Sequence, residues 1–203
     1  MTNFLKDIKY KIIRNVVPEQ LCDFISEYFL LREKVAGTLV ENKAIPPFDE
    51  SWGMFNDAQA MGHYSHYSDT AMEVLLQRIK PLMEQETGLS LYENYSYARI
   101  YREDAVLDKH TDRFSCEIST TLNLGGDPWP FFLTKDGKEI EVNLSKGDML
   151  IYLGIELEHW RKKFDGDFCI QAFLHYNDKN NPNSESNKFD TREHLGLPSF
   201  FKK

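Results

Sequence analysis

The sequence predicts an α+β fold that is mainly β: an antiparallel jelly roll backed by N-terminal helices. Three observations carry that prediction. Helical periodicity is confined to the first 90 or so residues. From about residue 91 to 178, aromatic and β-branched runs alternate with turn residues, the pattern of a compact all-β unit. The chain of 203 residues, 41% hydrophobic and 28% charged, is long enough to bury one proper core, and so is expected to form a single domain, 1–203.

The helical part, 1–90, opens with a short strand-like run, "IKYKII", and enters a helix near Pro18, a residue suited to a first helical turn. Leu21, Phe24, Ile25 and Tyr28 recur there at helical spacing. A loop over 46–68, rich in Pro, Gly and aromatic residues, leads to a second helix. That helix is capped at Ser68 or Asp69, lines Met72, Leu75, Leu76, Ile79 and Met83 along one face, and stops at Gly88. Pro81 inside it predicts a kink.

The β unit, 91–178, reads as the strands "LYENYSYARIYR", "VLDKHTDR", "CEISTTLNL", "PFFLT", "KEIEVNL", "DMLIYL", "LEHWRK" and "FCIQAFLHY". Turns fall at "GGDPW", "KDGK", "SKGD" and "FDGD". Helices first and strands after give a barrel or double-sheet roll of the jelly-roll or cupin kind. The tail, 179–203, is polar at first and ends in a few apolar residues able to dock back onto the body.

Composition excludes several function classes. A Lys+Arg count of 24 against 32 Asp+Glu gives a formal charge of -8, which repels nucleic acid backbones and anionic lipid surfaces. No apolar run approaches the roughly 18 to 20 residues that cross a bilayer, and the N-terminus has no signal-peptide pattern, so a cytoplasmic location is expected. Cys22, Cys116 and Cys169 are odd in number, with no CxxC, and read as reduced and packed.

Chemistry concentrates in "DKHTDR" and "LEHWRK". On a strand, His110 and Asp112 point to the same face. A jelly roll folds late strands beside early ones, so His159 can face that pair across the barrel mouth. Two imidazoles and one carboxylate form the facial triad that suits Fe(II) and leaves three coordination positions open.

The stretch from "LYENYSYARIYREDAVLDKHTDR" to "KGDMLIYLGIELEHWRKKFDGDFCIQAFLHYND" resembles the Fe(II)/2-oxoglutarate dioxygenase superfamily, whose core is a double-stranded β-helix. More narrowly, it is similar to a prolyl-4-hydroxylase-like group of bacterial and phage proteins with an HxDR…HWR…FLHY signature. The resemblance implies metal ligands at His110, Asp112 and His159, with Fe(II), the co-substrate 2-oxoglutarate and O2. It implies hydroxylation of an unactivated C–H bond in a peptidyl or small-molecule substrate. Many relatives hold the distal 2-oxoglutarate carboxylate with an Arg or Lys about ten residues past the second His, but "DFCIQAFLHY" contains neither. Arg161, two residues past His159 on the same face, is the expected substitute, able to grip a carboxylate bidentately. Arg99 and Tyr101 are the next candidates.

Other polar and aromatic residues have plainer readings. His175 is expected as a satisfied core histidine, and His63 and His66 as exposed loop residues. Trp52, Phe55, Tyr64 and Tyr67 pack on the barrel or close over the site. Arg113 points away from Asp112 as a rim or surface charge. Arg161 itself could be a cation stacked on Trp160, and Trp129 and Trp160 read as core or pocket wall. Two other functions use the same residues, a non-catalytic cupin-like binding module and a zinc hydrolase. The hydrolase would need a general base, for which Glu117 and Glu158 are the nearest candidates.

Overall fold

The computed structural model describes residues 3–203. After a helical turn at Phe4–Ile8 comes β1 (Tyr10–Ile13), the expected strand. α1 (Glu19–Glu41) begins after Pro18 and buries Cys22, Ile25, Phe29 and Ala36. Leu21 and Phe24 face away from the body, Phe24 being 66% exposed, because the stripe that meets the sheet lies one step further round the helix.

The segment read as a loop contains a strand, β2 (Ser65–Tyr67). His66 on it is buried, with Nδ1 3.3 Å from Asp69 Oδ2, and half-buried His63 accepts the Arg102 amide at 3.1 Å, so neither is the exposed loop residue expected. Three residues held by backbone pairing leave too little periodicity to read. α2 (Thr70–Thr87) starts where the Asp69 carboxylate accepts the Ala71 and Met72 amides, and ends at Gly88, whose φ of 72° satisfies the last turn. It is one continuous helix through Pro81, and it buries Met72, Leu75, Leu76, Ile79 and Met83 at about 1.5–3 kcal/mol apiece.

The eight remaining strands are β3 (Leu91–Arg102), β4 (Leu107–His110), β5 (Ile118–Gly126), β6 (Phe131–Lys135), β7 (Lys138–Val142), β8 (Met149–Leu153), β9 (His159–Arg161) and β10 (Phe168–Asp178). They form two antiparallel sheets, a major one in the order β1-β8-β5-β10-β3-β2 and a minor one in the order β4-β9-β6-β7. This is a double-stranded β-helix with its helices on the outer face of the major sheet.

Strand alternation sorts the two faces chemically. On the helix-facing side, β3, β5 and β10 contribute Ala98, Ile100, Ile118, Leu122, Leu124, Ile170, Ala172 and Leu174 to one core with α1 and α2. On the inner side the same strands present Tyr95, Tyr97, Arg99, Tyr101, Ser119, Thr121, Gln171 and His175. An apolar outer face fixes the helices, and a polar inner face is left free to build a site.

The tail returns to the body through Asp190, which is buried, while Phe200 and Phe201 stay exposed. The apolar end expected to dock does so in part, since Leu195 packs against the core, and a carboxylate docks beside it. Among the described residues no helix is long and apolar enough to cross a membrane.

Candidate functional site

The inner faces enclose a cavity of about 300 Å³, near the small end of ligand pockets. Its wall includes His110, Asp112, His159, His175, Arg99 and Arg113. His110 is the last residue of β4 and pairs across the minor sheet with His159 on β9. The expected HxD strand ends there, so Asp112 lies beyond β4 and is aimed by its own backbone, whose amide donates to the Gly154 carbonyl at 2.8 Å. Gly154 has to be glycine: a Cβ there would collide with Asp112 Oδ2, the Cys116 carbonyl and Ser119 Oγ.

The orientation of the two imidazoles follows from their outer nitrogens. His110 Nδ1 sits 2.7 Å from the Asp108 carbonyl, and His159 Nδ1 sits 2.8 Å from the Leu157 carbonyl. A carbonyl only accepts, so each Nδ1 carries the proton and each Nε2 presents a lone pair inward. Those nitrogens lie 3.7 and 3.6 Å from Asp112 Oδ1, beyond hydrogen-bonding distance, so the three groups converge on a shared space. All three ligand atoms fall within 4.8 Å of one another. Burial works against the Asp112 charge, but the neighbouring histidines, in their protonated form, outweigh it and hold the carboxyl below its ordinary range.

Behind Asp112, Ser119 Oγ lies 3.1 Å from Asp112 Oδ2, 2.8 Å from the Cys116 carbonyl and 2.9 Å from His175 Nδ1. His175 is therefore a cavity residue rather than the core residue expected, and burial lowers its pKa to about 4. The parity of β10 turns it inward; neither its apolar neighbours nor composition reveals that.

The two arginines differ in what balances them. Arg99 Nη2 lies 2.6 Å from Asp57 Oδ2, and the Tyr97 hydroxyl donates to the same oxygen. Burial opposes the Arg99 charge, but Tyr101, Tyr97 and Asp57 overcome it. Arg161 is 1% exposed and is not part of the cavity surface. Its Nη1 donates to the Trp129 carbonyl, and its Nη2 lies 3.2 Å from both Thr121 Oγ1 and Gln171 Oε1. Its Nε has no partner, and among the described residues no carboxylate stands within ion-pair distance. Burial accordingly lowers its pKa. It stacks on Trp129 and Phe131, not on Trp160. Tyr101 lines the cavity and accepts from Arg99 Nη1 at 3.1 Å.

Arg113 is neither a free rim charge nor turned from the site. It lines the cavity and grips Asp190 with two bonds of 2.6 and 2.7 Å. Glu117 is spent on Asn177, Asn181 and the Asp178 amide, and Glu158 lies 3.6 Å from Lys109 in an exposed pair, so neither stands ready as a general base.

No protein-family model matches the chain, and no curated protein matches it. Solved structures do. A Pseudomonas putida prolyl-4-hydroxylase superposes with a TM-score of 0.58 at 16% identity, over 83% of this chain and 93% of that one. HygX from Streptomyces hygroscopicus, solved with nickel, 2-oxoglutarate and hygromycin B bound, gives 0.62 at 10% identity, over 85% and 84%. The viral collagen prolyl hydroxylase of Paramecium Bursaria Chlorella virus-1, solved as a 2-oxoglutarate complex, gives 0.53 at 11% identity, over 83% and 95%. The chain has the fold of the Fe(II)/2-oxoglutarate oxygenases.

Within this oxygenase fold, the sequence reading missed Asp57, Ser119 and Asp190. Ser119 had a signal, since Ser119, Thr121 and Asn123 form the polar half of a period-two strand. Asp57 and Asp190 had none, because each meets its arginine across a long separation in sequence.

Proposed function

We propose that this chain is a non-haem Fe(II)- and 2-oxoglutarate-dependent oxygenase, one domain over 1–203, that hydroxylates a C–H bond of a peptidyl or small-molecule substrate. The observation that carries the reading is the convergence of His110, Asp112 and His159. Both imidazoles are locked by backbone carbonyls so that their lone pairs meet the carboxylate at one point. Two neutral nitrogens and one carboxylate oxygen suit Fe(II) and leave part of its coordination sphere open. Bound there, the metal would couple oxidative decarboxylation of 2-oxoglutarate by O2 to hydroxylation of the substrate.

The protein residues bind, orient and exclude water. Arg161 stands behind the cavity wall rather than on it; as a buried cation with an unpartnered Nε and no carboxylate of its own, it would hold the distal carboxylate of 2-oxoglutarate once a side chain of that wall moves aside. Arg99 is the weaker candidate because Asp57 already neutralises it. Tyr101, Phe131 and Tyr152 wall the pocket against solvent, and Ser119 fixes the Asp112 carboxylate.

The test is anaerobic titration of metal-free protein with Fe(II) and then 2-oxoglutarate, following the visible charge-transfer band of a keto acid chelated to iron. The band should form in wild type and vanish in His159→Ala. In Arg161→Ala it should need roughly 30-fold more 2-oxoglutarate, since removing one partner of a buried charge pair costs about 2 kcal/mol or more. Absence of the band in folded wild-type protein, with zinc bound instead, would favour the hydrolase reading.

A further inference from the structure

Most of the buried phenols of this protein donate to oxygen, although Tyr101 accepts from Arg99 and, among the described residues, Tyr152 has no hydrogen bond. Tyr28 and Tyr67 donate to the carboxylates of Asp69 and Asp190, Tyr97 donates to Asp57, and Tyr64 and Tyr176 donate to backbone carbonyls. Tyr95 ends on sulfur: its hydroxyl lies 3.0 Å from Cys116 Sγ. A thiol is a weak partner for a buried phenol, which normally finds an oxygen. The pair also lines the cavity, and Cys116 Sγ lies within 4.8 Å of ligand atoms of Asp112 and His175.

We propose that Tyr95 and Cys116 form a thioether cross-link, made by oxidation at the metal centre proposed above and joining the sulfur to the ring carbon ortho to the hydroxyl. A sulfur on that carbon is necessarily held close to the phenol oxygen, as Cys116 is here. The ring cannot swing clear. The Arg113 guanidinium sits 4.7 Å from its centroid, and the rings of His175 and Tyr67 stand 4.5 and 5.0 Å away.

The reaction balances with dioxygen as oxidant. The Cys116 S–H and one Tyr95 ring C–H break, one C–S bond forms, and the two electrons and two protons reduce O2 to hydrogen peroxide. Burial keeps both groups protonated, so ordinary thiolate chemistry is disfavoured. Dioxygen supplies the oxidising equivalents, and the metal proposed beside the pair would activate it.

The bond would close a covalent loop from Tyr95 to Cys116 that contains both His110 and Asp112. Two of the three convergent ligands would then sit on a segment stapled at each end, which limits their motion without using a reducible disulfide. Cys22 and Cys169, also buried and free, contact no tyrosine hydroxyl and serve as internal controls.

The inference rests on the metal reading, so the experiment separates the two. Full-length protein is loaded anaerobically with Fe(II), its bound iron is measured, air is admitted, and intact mass is read after treatment with thiol reductant. We expect a mass lower by two hydrogens, a digest in which the Tyr95 and Cys116 peptides run as one species, and no change in iron-free protein. Cys116→Ser and Tyr95→Phe should each bind iron and keep full mass. Iron-loaded wild type that keeps its mass in air, or that gains oxygen at Cys116, overturns the cross-link and leaves the metal centre standing. Failure to bind iron overturns both.

Discussion

The convergence of His110, Asp112 and His159 depends on one residue that offers no ligand. Gly154 accepts the Asp112 amide through its carbonyl, and its missing Cβ leaves the space that Asp112 Oδ2 and Ser119 Oγ fill. In Gly154→Ala the new methyl meets backbone on one side, the Cys116 carbonyl, so the movable Asp112 side chain gives way. We predict at least a tenfold loss of Fe(II) affinity in calorimetric titration, in protein that keeps its wild-type circular dichroism. Equal affinity would mean that Asp112 is not held where it is needed. At this scale His110 and His159 fall on the strands that their two short motifs predict, whereas Asp112 lies past the end of β4 and reaches them from the following loop. Arg161 has the inward parity expected of it, as the next inward residue after His159, but it lies behind the cavity wall. The second half of each interaction was not legible. Nothing near Arg99 in sequence points to Asp57, and nothing near Arg113 points to Asp190.

At the scale of elements, β3 was read to the residue and β5 and β10 to within two residues at their ends, since period-two alternation of apolar and polar side chains is clear over 9 to 12 residues. β2, with three residues, was beyond that reading. In the tail the apolar docking was legible and is met in part by Leu195, whereas the anchor at Asp190 is decided by tertiary charge pairing. Asp190 accepts from Arg113, Ser115 and Tyr67 and pairs with Lys202 at 2.8 Å. Burial opposes its charge, but Arg113, Lys202 and Ser115 prevail and push its pKa well below the ordinary range. A carboxyl depressed in the folded state contributes stability above its unfolded pKa of about 4, and that contribution is lost as pH falls below it. We therefore predict that Asp190→Asn lowers unfolding free energy by about 1.5 kcal/mol at pH 7, the scale of a hydrogen bond to a charged group, since half-exposed Arg113 regains water when unpaired. We also predict a shallower decline than wild type between pH 4 and 2 in urea titrations at stepped pH. Parallel pH profiles would show that the tail is held by something else.

At the scale of the whole molecule, the fold brings two sheets together around a polar interior, which is an uneven source of stability. The helix-facing side of the major sheet is continuously apolar, whereas the inner side holds three histidines, two arginines and Asp112 around the cavity. A ligand that binds the convergent triad only in the folded state should strengthen that weaker half. With free Fe(II) at about 100 times its Kd, mass action adds about 2.7 kcal/mol, or about 5 to 10 °C in Tm for a chain of this size. Anaerobic scanning calorimetry with and without a chelator checks it, and a Tm that does not depend on metal concentration would exclude the centre as a binding site.

The clamp between Arg113 and Asp190 also sets an order of events during synthesis. Arg113 follows Asp112 directly in the chain, yet its partner is made 77 residues later. While Asp190 is still inside the ribosome, the segment carrying Asp112 lacks its anchor. The clamp that holds this segment to the tail can therefore close only after translation has passed that point.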